Sequence, residues 1–452
     1  MITNIKINGF KSFHNFEMDF TPFTVIAGAN ASGKSNLFDA LRFLGRLAAE
    51  NIKDAFEGQR GGFLELFTQY GENDYATEME FCVEMLLNEN ITTFLKVEKL
   101  AHTRFRYSLK IKRIINYLKI EEPVLVSELL ENIEEEKNKQ KIYIKIYESK
   151  RKEFKNLFVS QDVFNEDDNT FLTTNISNTK TVLSYGNDKD LHIRAVKSEM
   201  RSWKFLDFNI EDLRQPTTRQ NSGDKLTSTG KYLAGVLLRI KYGDAYILRE
   251  ISRRLQAFVP DFVDVDVFDD FAREQFIIKL KDKHKREYTT RVLSDGTLRI
   301  LALCILLYDE SYNGVLTFEE PENGIHPSRI VAMTKLLKDF STNDVEDTQM
   351  PLRQVIVNTH SPVLVGEVLK AYMGNKDVSI SLCQMVSKTT TINDKKMTLN
   401  VTNTTDLFSE YKGYPENKDS AEDQKAMKKY AKSIIRKYLE TSNFTNVIEK
   451  LK

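Results

Sequence analysis

The sequence predicts an α/β fold with a mixed sheet that is interrupted by a long insertion. Two observations predict it. A strand pattern at Phe23–Ala27 leads through a glycine-containing loop into apolar residues at helical spacing. From about residue 293 onward, helix and strand patterns alternate, which is the rhythm of a parallel sheet. The insertion is expected in the long stretch between these two patterns.

The composition favours a globular protein without a general attraction for polyanions. The chain has 452 residues, 41% of them hydrophobic, which allows roughly two to four domains with a sizeable core. Its 65 basic and 65 acidic residues cancel, so no overall field steers it toward nucleic acid or anionic lipid. Its three cysteines form no metal-ligand pair, and no apolar run approaches the roughly 20 residues that span a bilayer. We therefore expect a cytoplasmic protein with no membrane partner.

The N-terminal part of the chain predicts strands around one helix. Ile2–Gly9 alternates apolar and polar residues, and the helix after Phe23–Ala27 begins near Ser35. Strand patterns at Glu78–Val83 and Arg104–Ile111 indicate a meander beside the first strands.

The middle of the chain is rich in charged and polar residues. The Glu- and Lys-rich stretch 128–154 predicts a projecting helical or coiled-coil element, or simply a solvated helix. Residues 165–178 are typical of a loop, and 420–438 of a basic amphipathic helix. We divide the chain into an N-terminal lobe (1–114), an inserted helical or coiled-coil subdomain (115–235), a C-terminal lobe (236–375) and a C-terminal extension (376–452).

The loop between the second strand and its helix matches a phosphate-binding pattern. Residues Gly28–Ser35, here called the phosphate loop, read G-x-x-x-x-G-K-S at the strand-to-helix position that the chemistry requires. Its glycines let backbone N–H groups face a phosphate chain, Lys34 reaches the terminal phosphates, and the Ser35 hydroxyl suits Mg²⁺. The pattern predicts a nucleoside triphosphate ligand.

Three further motifs follow in order much later in the chain. Ser294–Thr297, here called the signature turn, begins an apolar helix with Ser294 as a candidate N-cap. A buried strand pattern then ends in Glu319 and Glu320, where one carboxylate can serve Mg²⁺ and the other can polarise a water molecule. The next strand ends beside His360, which can donate to a γ-phosphate. Each motif alone also fits a helix cap, a solvated loop or a polar strand end, and their joint order favours the functional interpretation.

This order of motifs resembles the ATP-binding-cassette ATPases, in the branch that includes SMC proteins, RecF and the ATPase halves of overcoming-lysogenisation-defect-like nucleases. The likeness covers residues 1–110 and 235–375, and in that family a long insertion also separates the two lobes. It implies a P-loop NTPase of ABC-ATPase type that uses ATP and Mg²⁺ and closes as a head-to-head dimer.

The resemblance also implies roles for individual residues. Glu320 is the expected catalytic base, His360 the switch histidine, and Lys34 a catalytic as well as a phosphate-binding residue. Ser35 and Glu319 are the expected Mg²⁺ ligands. Ser294 and Gly296 would grip the γ-phosphate held by the opposite subunit. The implied nucleotide-binding set is Lys11, Ser12, Gly28, Asn30, Ala31, Ser32, Gly33, Lys34, Ser35, Asn36, Gln69, Ser294, Asp295, Gly296 and Thr297.

The sequence departs from the family pattern at two points. Glu319 stands where an aspartate is usual, so the roles of Glu319 and Glu320 toward Mg²⁺ could be exchanged. Residues 322–326 occupy the place of a dimer-contacting loop by position alone.

Length and motifs look like the ATPases of the Septu, PARIS and retron-associated anti-phage modules. This resemblance implies a switch that controls a separately encoded nuclease or toxin, with a phage-encoded trigger or DNA as further partners. The alternative is a RecF- or SMC-like clamp on DNA, which requires a basic stripe, for example at His102–Arg113.

Overall fold

The fold is seen in a computed structural model that describes residues 1–92, 96–133, 142–148, 159–165, 170–176, 179–185, 190–342, 351–392 and 394–408. The described strands are β1 (Ile2–Asn8), β2 (Phe16–Asp19), β3 (Phe23–Ala27), β4 (Gln69–Gly71), β5 (Asp74–Tyr75), β6 (Glu78–Leu86), β7 (Asn90–Thr92), β8 (Val97–Lys99), β9 (Arg104–Ile115), β10 (Glu121–Asn132), β11 (Ile142–Glu148), β12 (Val159–Asn165), β13 (Thr170–Ile176), β14 (Lys204–Leu206), β15 (Thr217–Thr218), β16 (Phe262–Asp270), β17 (Gln275–Asp282), β18 (Glu287–Thr289), β19 (Gly314–Glu319), β20 (Arg353–Thr359), β21 (Val378–Ile392) and β22 (Lys395–Asp406). The described α-helices are α1 (Lys34–Leu47), α2 (Ile52–Glu57), α3 (Val182–Tyr185), α4 (Leu191–Ser202), α5 (Ile210–Arg214), α6 (Leu233–Gly243), α7 (Ile247–Gln256), α8 (Asp295–Leu307), α9 (Ile330–Asp339) and α10 (Pro362–Tyr372).

Eight strands form an antiparallel sheet in the order β13-β12-β11-β10-β9-β6-β1-β2, here called the antiparallel sheet. Strands β2, β6 and β9 alternate between a buried and a solvated face, as expected for a sheet covered on one side. On β6, for example, Met79, Phe81 and Val83 are buried, whereas Glu78 and Glu80 lie on the other face. The meander predicted around Glu78–Val83 and Arg104–Ile111 is confirmed as β6 and β9.

The predicted helical or coiled-coil element at 128–154 is wrong for its described residues, 128–133 and 142–148, which belong to or adjoin strands. The later part of the predicted insertion does contain helices α3, α4 and α5. Strands β10 and β11 pair in antiparallel register, and β12 and β13 continue the same sheet. The missed signal is the period-two alternation of Ile142, Ile144 and Ile146, which is typical of a strand. The prediction of a loop at 165–178 is also wrong for Thr170–Ile176, which form β13.

Six strands form the second large sheet, here called the site sheet, in the order β14-β19-β20-β3-β21-β22. All neighbouring pairs are parallel except β21 with β22. Strand β3 lies between β20 and β21, so both of its neighbours come from the far end of the described chain. Its five residues are all buried, as is typical of a parallel strand covered on both faces.

Helix α1 lies between the two sheets. Its Leu37, Phe38 and Leu41 share a hydrophobic core with Ile26 of β3 and with the buried face of the antiparallel sheet. The other face of the site sheet packs on α8, α9 and α10 in a second core. Among the described residues, no helix combines the length and the apolar character needed to cross a membrane.

Residues 378–406 belong to the site sheet and are not a separate extension. Val378–Leu382 pair with Phe23–Ala27, and β22 pairs with β21 over its whole length. The predicted basic helix at 420–438 lies outside the described residues. The other predicted domain boundaries stay predictions.

Candidate functional site

Three adjacent parallel strands bring the predicted motifs to one edge of the site sheet. Strand β3 ends at the phosphate loop, β20 ends at Thr359 before His360, and β19 ends at Glu319. The carboxyl ends of parallel strands meet at one edge, which is where ligands of open α/β sheets bind. The predicted strand-loop-helix arrangement around the phosphate loop is confirmed, with α1 beginning at Lys34.

The phosphate loop has the backbone of an anion cradle. Ala31 and Gly33 have positive φ values of 63° and 94°, which turns the chain tightly before the N-terminus of α1. The Lys34 ammonium is buried and donates to the carbonyl oxygens of Gly28 and Ala29, each at 2.7 Å. Burial lowers the pKa of this ammonium. Lys34 therefore closes the loop on itself here, and a bound phosphate offers its charge a stronger partner than these carbonyls.

Glu320 and His360 form a direct pair at the ends of adjacent strands. His360 Nδ1 lies 2.7 Å from Glu320 Oε1, and Asn323 Nδ2 donates to Glu320 Oε2 at 2.7 Å. Glu320 has a left-handed backbone with φ 47°, a conformation that costs about 1 kcal/mol or more for a residue with a side chain. The main chain holds it there, because the Glu320 N–H donates to the Asn358 carbonyl at 2.8 Å. The carboxylate is thus fixed beside the imidazole.

Glu319 points to a different set of groups. It is half-buried, and burial raises the pKa of its carboxyl, while the charges of Arg60 and Arg42 oppose this shift. Its register partner on β20 is Asn358, so the two side chains share one face of the sheet about 5 Å apart. The Asn358 Oδ1 atom is buried and has no hydrogen-bond partner in the structure. Carboxylate, amide and hydroxyl oxygens suit Mg²⁺, so Glu319, Asn358 and Ser35 fit a Mg²⁺ ion with its water shell.

An ion cluster around one buried carboxylate connects α1 with the turn after β1 and with Arg60. The Asp39 carboxylate is fully buried and pairs with Lys11 at 2.6 Å, Arg60 at 2.9 Å and Arg42 at 3.4 Å. Arg60 also donates to the Ser35 carbonyl at 3.4 Å. Lys11, predicted to contact nucleotide, is therefore engaged by Asp39, and its role toward a nucleotide stays a prediction.

The remaining predicted contacts divide into two groups. Ser12 lies beside the phosphate loop and accepts from Asn36 Nδ2 at 2.8 Å. Gln69, by contrast, is exposed on β4, and its amide donates to Gly71 and Glu72 within its own hairpin. These contacts do not connect Gln69 with the phosphate loop.

The signature turn has the predicted helix-capping geometry. The Ser294 side chain accepts from the Thr297 N–H and caps α8. Asp295 pairs with Arg214 at 2.7 Å. A Cβ atom added to Gly296 would lie 2.2 Å from the Gly324 carbonyl oxygen, so the turn packs backbone to backbone against residues 322–326. Ser294 is exposed, and its hydroxyl lies 2.8 Å from Thr297 Oγ1. A helix N-terminus of this kind is a general binding place for anions.

Glu322, the last acid of the Glu-Glu-Pro-Glu segment at 319–322, makes a buried structural contact. It is 8% exposed, and the Thr359 hydroxyl donates to its carboxylate. Burial raises the pKa of this carboxyl. Glu322 therefore connects the residues after β19 with the end of β20.

Sequence reasoning missed several residues at this edge. Asp39 stands four residues after Ser35 on α1, and Arg60 stands in the glycine-rich segment Gly58–Gly62. A charged residue on an otherwise buried helical face, and a cation flanked by glycines, were the available signals. Asn358 carried no signal in the sequence beyond its place at a strand end.

A family model described as "AAA domain, putative AbiEii toxin, Type IV TA system" matches residues 23–366. This range begins with β3 and includes the phosphate loop, the signature turn, both acids and His360. The chain belongs to this family. The match thus covers residues 23–114 and 236–366 of the two predicted lobes and the insertion between them. The nucleotide-binding ATPase class predicted from the motifs is the class of the family.

Solved structures show a related fold. A crystal structure of the SmcHead bound to the C-winged helix domain of ScpA is 15% identical, with 90% of this chain and 97% of that chain covered and a TM-score of 0.52. An Smc head domain with an extended coiled coil, bound to the C-terminal domain of ScpA from Pyrococcus furiosus, is 14% identical. The match covers 90% of this chain and 96% of that chain, with a TM-score of 0.44. The SMC head domain from Thermotoga maritima is 14% identical. The match covers 88% of this chain and 98% of that chain, with a TM-score of 0.36. The first of these confirms the predicted α/β fold of the SMC-head type. No curated protein matches the AAA-domain chain.

Proposed function

We propose that this AAA-domain protein binds and hydrolyses ATP, and that two copies close head to head around the nucleotide. The observation that carries the proposal is the meeting of the phosphate loop, Glu319 and the Glu320–His360 pair at one edge of three adjacent parallel strands. A phosphate cradle, a Mg²⁺-binding acid and a second acid beside a histidine are the groups that phosphoryl transfer to water requires.

The geometry supports separate roles for the two acids. Ser35 and Glu319 would hold Mg²⁺, with Asn358 reaching its water shell, and the ion would supply charge for the β- and γ-phosphates. Glu320 accepts the proton of the attacking water. His360 donates through Nδ1 to Glu320 and so orients the carboxylate, and in its protonated form it also donates through Nε2 to the γ-phosphate.

The packing of the signature turn supports a second copy. The turn contacts Arg214 and Gly324, whereas the phosphate loop packs against α1 and the β21–β22 hairpin. On this proposal, the exposed Ser294 of one copy and the phosphate loop of the other meet across a two-fold axis on one triphosphate. ATP would then stabilise the closed pair because it contacts both subunits only in that state.

The Glu320→Gln variant tests this function. The amide cannot take a proton from water, so we expect ATP binding to persist while steady-state hydrolysis falls by about a hundredfold or more. The trapped nucleotide should shift the protein from monomer to dimer in light scattering with Mg²⁺ and ATP. Glu287→Gln, which neutralises a surface carboxylate paired with Lys279, is the control and should behave like the parent. Hydrolysis at the parent rate would refute the role of Glu320.

We further propose that the closed state controls a separately encoded nuclease or toxin in anti-phage defence. The family description names a putative AbiEii toxin and a type IV toxin–antitoxin system, and the proposal assigns this chain the role of the ATPase switch in a system of two such components. The related SmcHead structure, bound to a ScpA domain, shows that such a fold can hold a protein partner. Co-purification of a neighbouring gene product that depends on ATP would support the proposal, and a partner bound equally without ATP would contradict the switch.

The DNA-clamp alternative receives no support from the described residues. The basic side chains expected to form a stripe on β9 pair with acids on adjacent strands: Arg106 with Glu84 and Glu131, Lys110 with Glu78 and Glu80, Lys112 with Glu78, and Arg113 with Glu121. Salt-sensitive binding of duplex DNA by the isolated protein would restore the clamp as the leading function.

A further inference from the structure

The β21–β22 hairpin, here called the C-terminal hairpin, forms a wall behind the phosphate loop. Leu382 is the register partner of Ala27, the last residue of β3. The hairpin therefore continues beside the loop just where β3 ends. A Cβ atom at Gly28 would lie 2.4 Å from the Cys383 carbonyl oxygen, and one at Gly33 would lie 1.9 Å from Thr402 Oγ1. Both glycines of the phosphate-loop pattern thus lie against the hairpin.

Two side chains of the C-terminal hairpin hold one carbonyl of the loop. Cys383 Sγ donates to the Ser32 carbonyl at 3.1 Å, and Thr402 Oγ1 donates to the same oxygen at 3.4 Å. Burial raises the pKa of the Cys383 thiol to about 11, so the sulfur keeps the proton that it donates at neutral pH. Cys383, Thr402 and Ser32 are all buried, which shields these contacts from competition with water.

Thr402 also connects the loop with the turn after β1. Its hydroxyl lies 2.6 Å from Ser12 Oγ, and the Thr402 N–H donates to the Ser12 carbonyl at 2.9 Å. Asn36 Nδ2 can only donate and the Ser32 carbonyl can only accept. A chain of donors that runs from Asn36 through Ser12 and Thr402 to the Ser32 carbonyl satisfies each of these groups. The Thr402 hydroxyl also lies 3.5 Å from Met385 Sδ.

The orientation of the Ser32 carbonyl decides where the next N–H points. In a trans peptide the C=O and the following N–H point in opposite directions. With the Ser32 carbonyl held against the C-terminal hairpin, the Gly33 N–H points away from the hairpin. The loop glycine itself has a left-handed φ of 94° and no side chain to fix it, so the orientation depends on these outside contacts.

We infer that Thr402 is a positioning residue for nucleotide binding, whose hydroxyl fixes the Ser32–Gly33 peptide so that the Gly33 N–H faces the phosphates. Cys383 serves the same carbonyl as a second donor. The inference rests on the proposed ATPase function, and it adds to the site a pair of residues that are distant from the loop in sequence and that do not touch the nucleotide.

The matched pair Thr402→Val and Thr398→Val tests the inference. Valine keeps the shape of threonine and removes the hydroxyl. Thr398 lies on the same strand, on the exposed part of the hairpin, where its hydroxyl lies 3.2 Å from that of Thr389. For Thr402→Val we expect the Kd for a fluorescent ATP analogue with Mg²⁺ and the KM for ATP to rise together by about fivefold to tenfold, because one hydrogen bond that orients the cradle is lost. We expect kcat to stay within about twofold, because binding is weakened equally before and during the reaction.

Thr402→Ser restores the hydroxyl and should return KM to within about twofold of the parent, whereas Thr398→Val should equal the parent throughout. A merely structural role would lower the melting temperature without this split between KM and kcat or this rescue. If Thr402→Val fails to fold, Cys383→Ala takes its place, with an expected rise of about threefold in KM.

Parent-like KM for the folded Thr402→Val variant, no rescue by serine, or a fall in kcat at constant KM would overturn the inference. If Cys383→Ala is used instead, a KM equal to that of the parent would likewise overturn the inference. These outcomes differ from failure of the proposed function, in which the parent protein itself binds no ATP.

Discussion

The two large sheets use their charged residues in opposite ways. On the antiparallel sheet, the outward-facing charges neutralise one another, as in the pairs of Lys110 with Glu78 at 2.9 Å and Glu80 at 2.6 Å. On the site sheet, strands β3, β19 and β20 are buried along almost their whole length, and acidic groups follow at the carboxyl end of β19. There Glu319 makes no ion pair within the described residues, and the buried Asn358 Oδ1 has no partner.

This difference separates structural charge from functional charge. Exposed ion pairs such as those on β9 contribute roughly 0–1 kcal/mol each to the free energy of unfolding, and each charge already has a partner within the protein. Polar groups that stay incompletely paired in a partly buried place cost stability, and a ligand that completes them recovers that cost. The edge of the site sheet thus has the properties of a binding site, and the outer face of the antiparallel sheet has those of a solvated surface.

The largest expected effect separates two lysines, one from each sheet. Lys34→Ala removes the cation at the phosphate loop, so we expect ATP affinity to fall by roughly a thousandfold. Lys110→Ala removes a surface cation and should leave affinity unchanged. Equilibrium titration with a fluorescent ATP analogue measures both. Comparable losses of ATP affinity in the two variants would show that the charges of the two sheets do not differ in function.

The next effect concerns stability and belongs to the inner face of the antiparallel sheet. Glu128 is fully buried, where Tyr107 Oη and the Val182 N–H donate to it, each at 2.8 Å. Burial raises its pKa from 4.5 to about 7. Between these values the folded protein keeps a proton that the unfolded chain releases, so the free energy of unfolding falls as pH rises toward 7. At about 1.4 kcal/mol per pH unit, this amounts to about 2.5 kcal/mol between pH 5 and pH 8.

Glu128→Gln should abolish this loss, since glutamine stays neutral at both pH values. Urea unfolding of parent and variant at pH 5 and pH 8 measures the difference. Glu131→Gln is the control on the outer face of the same strand, where Glu131 pairs with Arg106, and it should keep the pH dependence of the parent. Parallel pH profiles for parent and Glu128→Gln would show that Glu128 is ionised in the folded protein. ATP affinity at pH 7 should be the same in all three.

The smallest of the expected effects tests the signature turn. A methyl group at Gly296 must displace the backbone of Gly324, which moves the turn while leaving the phosphate loop intact. We expect kcat for ATP to fall by about tenfold, with nucleotide affinity of the monomer within about twofold. Gly243→Ala, at a position where a Cβ atom meets nothing within 4 Å, is the control. An unchanged kcat in Gly296→Ala would show that the signature turn takes no part in ATP hydrolysis.

The sequence predicted local features well because their signals are local. The phosphate loop between β3 and α1, and the Ser294 cap of α8, follow from residues within one or two turns of each other. The strand β11 was missed because its Glu- and Lys-rich surroundings outweighed the alternation of Ile142, Ile144 and Ile146. Contacts such as Thr402 with Ser32 join residues that are hundreds of positions apart, and no spacing rule in a single sequence reveals them.

The position of β3 between β20 and β21 has a consequence for biosynthesis. A ribosome releases β3 and the phosphate loop long before it has made either neighbouring strand, so an unfinished chain exposes the loop without the wall that shapes it. On the proposed function, the complete nucleotide site first exists when β20 and β21 have been translated and have paired with β3. On this basis, truncated chains that contain the phosphate loop but lack β20 and β21 would not bind ATP. They would also not form inactive dimers with complete chains.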